Sequence, residues 1–276
     1  MTPAVLRLSE VAEQTYRVTQ PEEAAEGRDV VFSGQLIAQM LMASDRAAEG
    51  KDVRSVHAVF ARAGTYTKAI DLQVDSMHAG RTWASDNVSA MQDGRLLARA
   101  LVLLNGTDPD LVRHGPDMPE GIPSPETLCE GPWQTFPGAE VRPVPAERVE
   151  RGVPVQWAWH RYQDDVGSQA ACRAVLVWAT CGNSIGLAMR PHRDSVDISQ
   201  AHRTLSTGVI AHTAHFLEPF DVSQWLLIET RAESAGGGRV YASGSVFSED
   251  GFMVATFQQD SMARGAYRQL DRKRAL

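Results

Sequence analysis

The sequence predicts an α+β fold built from two similar units, each a helix followed by antiparallel strands, whose sheets merge into one. Two observations carry this expectation. The first is an internal repeat: residues 80–104 read GRTWASDNVSAMQDGRLLARALVLL and residues 238–260 read GRVYASGSVFSEDGFMVATFQQD. Gly80-Arg81, Ala84-Ser85, Val88 and Asp93-Gly94 fall on Gly238-Arg239, Ala242-Ser243, Val246 and Asp250-Gly251, at an offset of 158 residues that shortens to 157. A period this long means a whole folding unit used twice, because solenoid modules repeat every ~20–50 residues. The second observation is the order of patterns inside each half, helical periodicity first and strand-like runs after it.

Val31 to Ala48 (VFSGQLIAQMLMASDRAA) places Leu36, Ile37, Met40 and Leu41 at helical spacing, and Ser33-Gly34 suits a cap. Strand-like runs follow at Val53–Ala61, Ala69–Asp75, Thr82–Gln92 and Arg95–Leu104, the last two joined by Asp93-Gly94, a strong hairpin signal. Residues 105–145 then hold nine of the 14 prolines without sustained periodicity, which reads as an extended linker. In the second half Val155–Arg161 is strand-like. Gln169–Thr180 (QAACRAVLVWAT) reads as a helix or a fully buried strand, and a short apolar segment, Asn183–Met189, follows it. Strands are expected at Val209–Phe216, Trp225–Ala232, Arg239–Ser248 and Phe252–Gln259. The arrangement is a tandem, or double, hot-dog: a central helix wrapped by an antiparallel sheet, made twice. The units are placed at 1–106 and 146–276, with 107–145 as linker.

Composition narrows the function. A chain of 276 residues, 43% hydrophobic and 22% charged, is ordinary for a soluble globular protein. A net charge of −7 with no Lys/Arg run longer than three argues against nucleic acid as the main partner. Cys129, Cys172 and Cys181 show no metal-ligand spacing. The start carries no long apolar core, and the longest apolar stretch, Ala98–Leu104, is far short of the ~20 residues of a membrane span. A cytoplasmic protein without a membrane span is expected.

VFSGQLIAQ, VRSVHAVFARAG and MQDGRLLARA resemble the first half of the type II acyl-CoA thioesterases. EVRPVP, VQWAWHR, VLVWATCGNSI, HFLEPFDVSQWLLIET and DGFMVATFQQDSMAR resemble their second half, in the same order. The resemblance implies a double hot-dog protomer, an acyl-CoA or acyl-carrier thioester as ligand, no cofactor, and a homo-oligomer. It also implies a site where an Asp, a Thr or Ser, and a Gln of the second half hold and polarise a water. The Gln falls on Gln258 in TFQQD. The Asp falls on Cys181 in WATCGN, and the Thr on Val209 in STGVIAH. Val for Thr keeps volume and deletes a hydrogen bond, so the water-activating route lacks its general base and one positioning group.

Several nearby residues carry competing readings. Cys181 precedes Gly182-Asn183 at an expected helix start, where the positive dipole end would lower a thiol pKa; an acyl-cysteine and a buried thiol filling the vacated slot both fit, the second favoured. His212 and His215, three apart on a strand, point to opposite faces, so one could serve as a base, although a structural role for His212 is favoured. Asn183 could orient water or cap a helix. Amides after Gly34 and Gly182, at helix starts, could form an oxyanion hole from backbone alone. Three functions are carried forward: a thioesterase, a degenerate acyl-thioester binder, and other acyl-CoA chemistry such as enoyl hydration.

Overall fold

The computed structural model describes residues 3–20, 29–48, 50–106, 109–131, 138–145, 148–150, 152–194 and 205–265. The chain-order elements are β1 (Ser9–Ala12), β2 (Thr15–Val18), α1 (Ser33–Ala47), β3 (Asp52–Phe60), β4 (Ile70–Ala79), β5 (Trp83–Gln92) and β6 (Arg95–Asn105) in the first unit. The second holds β7 (Ala139–Pro143), β8 (Arg148–Glu150), β9 (Val153–Tyr162), α2 (Gln169–Thr180), α3 (Ser184–Met189), β10 (Leu205–Phe216), β11 (Leu226–Gly236), β12 (Arg239–Ser248) and β13 (Met253–Gly265).

All of these strands belong to one antiparallel sheet, in the order β1-β2-β4-β5-β6-β3-β10-β13-β12-β11-β9-β7, with β8 also on β9. The two halves meet at β3 and β10, where His57 faces Thr213 and Val59 faces Ala211. One buried cluster includes both long helices and inward residues of both halves, among them Leu36, Ile37, Met40, Val56, Val102, Ala174, Val177, Ala214 and Phe257. This is the expected double hot-dog with one continuous core. Burial of α1 is nearly all-round, from Gly34 to Leu41, because the sheet wraps it and α2 lies alongside.

The repeat is built with different turns in its two copies. Asp93 and Gly94 both take positive φ, 50° and 72°, giving the two-residue hairpin that the sequence signals. In the second copy only Gly251 does so (φ 91°), in a longer connection closed by Gly251 N–H to Ser248 O at 2.9 Å. Gln169–Thr180 is a helix. The Ser168 side chain caps it by accepting from Ala171 N–H at 3.2 Å, a satisfied helix start that a buried strand would not have.

Three features depart from the sequence reading. The hairpin β1–β2 was not expected, because four-residue strands are too short for a readable period. Part of the proline-rich stretch joins the second unit: β7 pairs with β9 at the sheet edge, where a proline costs no ladder bond, and Pro123 O accepts from Trp159 Nε1 at 2.9 Å. Finally, Ser33 is not a cap. Phe32 holds that position without a side-chain bond. The glycine beside it serves close packing, since a Cβ on Gly34 would lie 2.8 Å from Cys181 Cβ and 3.1 Å from Trp178 Cα.

The units are also tied by charge. Arg173 of α2, only 2% exposed, donates to Asp52 Oδ1 of β3 at 2.7 Å, with its guanidinium 6.0 Å from the Phe216 ring. Asp45 of α1 feels the same cluster: burial raises its carboxyl from 3.8 to about 6, against the pull of Arg173. The helical run Gln169–His192 is apolar and long enough to cross a membrane by composition alone, but it breaks between α2 and α3, and 72% of the window is buried inside the protein.

Candidate functional site

The antiparallel approach of the two helices creates the site. The start of α1 meets the end of α2, where the Phe32 and Trp178 rings lie 5.9 Å apart and Gly34 abuts Cys181. Strand side chains from β10 and β13 close this region from the sheet side.

Which strand residues face it is decided by a bulge. Val209 opposes Ser261, Ala211 opposes Asp260, and His212 opposes Gln259, so Ile210 is the extra residue. Strict alternation would send Val209 and His212 to opposite faces. The bulge instead puts Val209, His212, Gln259 and Ser261 together on the inner face. Ser261 and His212 are fully buried and Gln259 is 1% exposed. His215 is exposed on the other face, as its three-residue spacing from His212 requires.

The glutamine assignment therefore changes. Gln258 sits on the outer face, exposed, opposite Thr213 and Ser243. Gln259 points inward. Two adjacent glutamines in TFQQD match the family pattern one residue apart, and motif matching alone could not separate them. The pleat does: residues one apart face opposite sides.

Gln259 is the centre of a dry polar chain. Its Nε2 donates to Ser261 Oγ at 2.9 Å and to Ser184 Oγ of α3. Its Oε1 accepts from His212 Nδ1 at 3.3 Å, and His212 Nε2 faces Thr180 Oγ1 at 3.3 Å. The Thr180 hydroxyl is also within 3.1 Å of Val177 O. Phe257 stacks on the imidazole, with ring centroids 6.0 Å apart. Burial lowers the His212 pKa from 6.5 to about 4, the Gln259 bond opposing this in part, so the ring is neutral at pH 7. A neutral ring with its proton on Nδ1 satisfies Gln259 Oε1, and its Nε2 then shares the single Thr180 proton with Val177 O. The sequence assigns Ser184, Ser261 and Thr180 no role of their own, although all three lie within the matched segments VLVWATCGNSI and DGFMVATFQQDSMAR and the pocket is expected near Cys181 to Ser184.

The other expected site residues are placed as follows. Cys181 is buried at the C-terminal end of α2, not at a helix start, and burial pushes its thiol pKa up. The dipole argument for an activated thiolate is thus reversed: α2 presents its negative end there. Asn183 precedes α3 with helical backbone angles and makes no side-chain cap bond; only its carbonyl takes part, accepting from Leu187 N–H at 3.0 Å. Gly182 is exposed on the turn between α2 and α3, two residues before α3 begins. Gly34 is the second residue of α1, against Cys181. The first-unit counterparts of Gln259 and Ser261, at the 157-residue offset, are Val102 and Leu104, both buried, so the polar chain has no duplicate there.

A cavity of about 320 Å³ lies elsewhere, among Arg113, Glu218, Gln224, Trp225, Asp250 and Phe252. It adjoins the N-terminal end of α2, where Gln169 Nε2 donates to Phe220 O at 3.0 Å, roughly 18 Å along the helix from Cys181. Arg113 and Glu218 pair across it at 3.2 Å.

Comparison with known proteins now decides the family. The acyl-CoA thioesterase C-terminal domain matches residues 115–263 and the acyl-CoA thioesterase N-terminal domain matches residues 20–104. The chain belongs to the acyl-CoA thioesterase family. Human acyl-coenzyme A thioesterase 8 is 25% identical over 264 residues, covering 85% of this chain and 80% of the human protein. Acyl-CoA thioesterase 2 of Haemophilus influenzae is 24% identical, covering 85% and 87% respectively. Among solved structures, the tesB protein of Mycobacterium avium subsp. paratuberculosis superimposes with a TM-score of 0.80 at 25% identity, over 95% of this chain and 97% of that one. A hot-dog-fold protein from Alicyclobacillus acidocaldarius gives 0.77 at 18% identity, over 96% and 99%. In this thioesterase-family chain, the Gln259 chain lies on the second unit's inner face, and the first unit buries a different polar set, with Ser44 donating to Asp86 and Gln20 bonded to Gln35 and Gln39.

Proposed function

We propose that the protein hydrolyses acyl-CoA thioesters slowly, at the junction of α1, α2, β10 and β13. The observation that carries this reading is the buried Gln259 chain, which reaches through His212 to Thr180, the residue before Cys181, where α2 ends against Gly34 of α1. A buried amide bonded to hydroxyls and a neutral imidazole is costly to assemble in a dry core, and the first-unit counterparts of Gln259 and Ser261 are the hydrocarbons Val102 and Leu104. In the reaction, a water oxygen bonds to the thioester carbonyl carbon while the carbonyl π pair moves to oxygen. When that pair returns, the carbon–sulfur bond breaks, and the water's proton ends on the departing CoA thiolate. Backbone amides at the start of α1, which no helix carbonyl can satisfy, suit the transient oxyanion.

The rate is limited by the absent base. Cys181 is buried with a raised pKa, and Val209 has no hydrogen-bonding atom. Neutral His212 is spent on Gln259 and Thr180. A general base typically contributes about 10²–10⁴ in rate. Acyl-CoA binding without turnover is the second reading, and these same substitutions favour it; enoyl hydration has no supporting pair of groups among the described residues. Free buried thiols at Cys172 and Cys181 suit a reducing cytoplasm, and the exposed Val59, Trp83, Leu101 and Leu103 on neighbouring outer-face strands suit a homo-oligomer.

The test follows CoA release from a panel of acyl-CoAs with a thiol-reactive dye. Wild type is expected below about 10 per second, the median for enzymes. The double substitution Cys181→Asp with Val209→Thr is expected to raise kcat at least about tenfold. A wild-type rate at the ordinary level would mean that another base operates. No release by either protein would leave the binding reading in its place.

A further inference from the structure

We infer that Ser184 is the side-chain donor to the thioester carbonyl oxygen, and that Gln259 and His212 are positioning residues behind it. The inference rests on the hydrolytic reading above. Its basis is a count of protons in the buried chain. Both amide N–H groups of Gln259 are spent, one on Ser261 and one on Ser184, and its oxygen holds the His212 ring. The amide has no donor left for a ligand. Ser184 Oγ accepts from Gln259, and among the described residues its own proton has no acceptor. At 2% exposure this is a hydroxyl proton without a partner in a nearly dry place.

Ser261 stands in the same relation to Gln259 but differs in access. It lies within β13, fully buried, opposite Val209 on one neighbouring strand and Val240 on the other. Hydrocarbon flanks it on both sides. Ser184 instead begins α3, three residues after Cys181 and next to half-buried Asn183 and exposed Gly182. It lies where the interior chain reaches the turn that faces solvent, in the segment that follows Cys181 and its contact with Gly34.

The chain behind Ser184 fixes it. Thr180 and Gln259 grip the two nitrogens of His212, the ring grips the Gln259 oxygen, and the Gln259 amide grips Ser184. A hydroxyl so held needs little reorganisation when charge develops on the carbonyl oxygen. In the addition step Ser184 donates a hydrogen bond and keeps its proton. The electron pair on the oxyanion returns on collapse, so no atom is consumed.

Two measurements test this together. The first is kcat and KM on one acyl-CoA for wild type, Ser184→Ala and Ser184→Thr. Loss of one such donor costs about 10²–10³ in kcat, so Ser184→Ala is expected to lose about that in kcat with KM changed less than threefold, and Ser184→Thr to recover part of it. The second is binding of two unreactive CoA ligands, a ketone with CH₂ in place of sulfur and an S-alkyl thioether without a carbonyl. Wild type is expected to prefer the ketone by tenfold or more, and Ser184→Ala to lose that preference while binding the thioether as before. If wild type turns over thioesters and prefers the ketone, but Ser184→Ala does the same, this inference is overturned and the hydrolytic reading stands. If wild type neither turns over thioesters nor distinguishes the ligands, the hydrolytic reading falls and this inference with it.

Discussion

Replacing Gln259 by Ala or Met is expected to lower kcat on acyl-CoA about 100-fold, whereas Gln258→Ala is expected to leave kcat and KM within twofold. The residues are neighbours in TFQQD, but β13 sends them to opposite faces. Removing the inner amide strands three partners at once: Ser184, Ser261 and the His212 Nδ1–H. Each stranded polar group costs ~1–3 kcal/mol, so melting temperature must be measured alongside, with assays run well below it. Gln259→Met keeps the volume and removes only the hydrogen bonds, which separates loss of polarity from a cavity. Removing Gln258 breaks no inward contact, because it stands outside opposite Thr213 and Ser243. Steady-state kinetics of the three variants check this. Equal losses at 258 and 259 would mean that the inner-face assignment is wrong.

Stability is expected to fall as pH drops from 7 to 4.5. Burial lowers both His212 and His160 from 6.5 to about 4. For a depressed folded-state pKa, the unfolded chain takes up the proton first, so the stabilisation is full above 6.5 and is lost as pH falls towards 4. A change from 6.5 to about 4 corresponds to about 3 kcal/mol per histidine. Asp45 runs the other way: its pKa is raised from 3.8 to about 6, so its contribution is full below 3.8 and is lost as pH rises through 6. Two histidines oppose the single carboxyl of Asp45, and the net slope follows the histidines. Urea unfolding midpoints at pH 7.5, 6 and 5 should decrease in that order, and His212→Gln should flatten the decrease by about half. A midpoint that holds or rises on acidification would contradict the burial of the two rings.

The fold was largely legible because its signals are local and repeated. Asp93-Gly94, the apolar spacing of α1, and the copy of GR…AS…V…DG 157–158 residues later each report on a few neighbouring residues. The helix or strand ambiguity of Gln169–Thr180 arose because a segment buried all round shows no period, and Ser168 settled it through its cap. β7 was hidden by surrounding prolines, which an edge strand tolerates. The site was less legible because it depends on parity and distance. The bulge at Ile210 flips Val209 relative to His212, and no residue type announces it. Whether Gln258 or Gln259 faces inward turns on a single residue of register. That Cys181 ends α2 instead of starting α3 reversed the electrostatic argument for its thiol. Ser184 becomes visible only when the donors of Gln259 are counted in three dimensions.

The proposed site of acyl-CoA hydrolysis is where the start of α1 meets the end of α2, on the second unit's inner face. A crystal structure with the unreactive ketone analogue of an acyl-CoA tests it most directly. The ketone oxygen is expected within hydrogen-bond reach of Ser184 Oγ, near Gly34 and Cys181, with Gln259 behind the serine. A ketone bound instead in the cavity between Arg113 and Phe252, at the far end of α2, would contradict it.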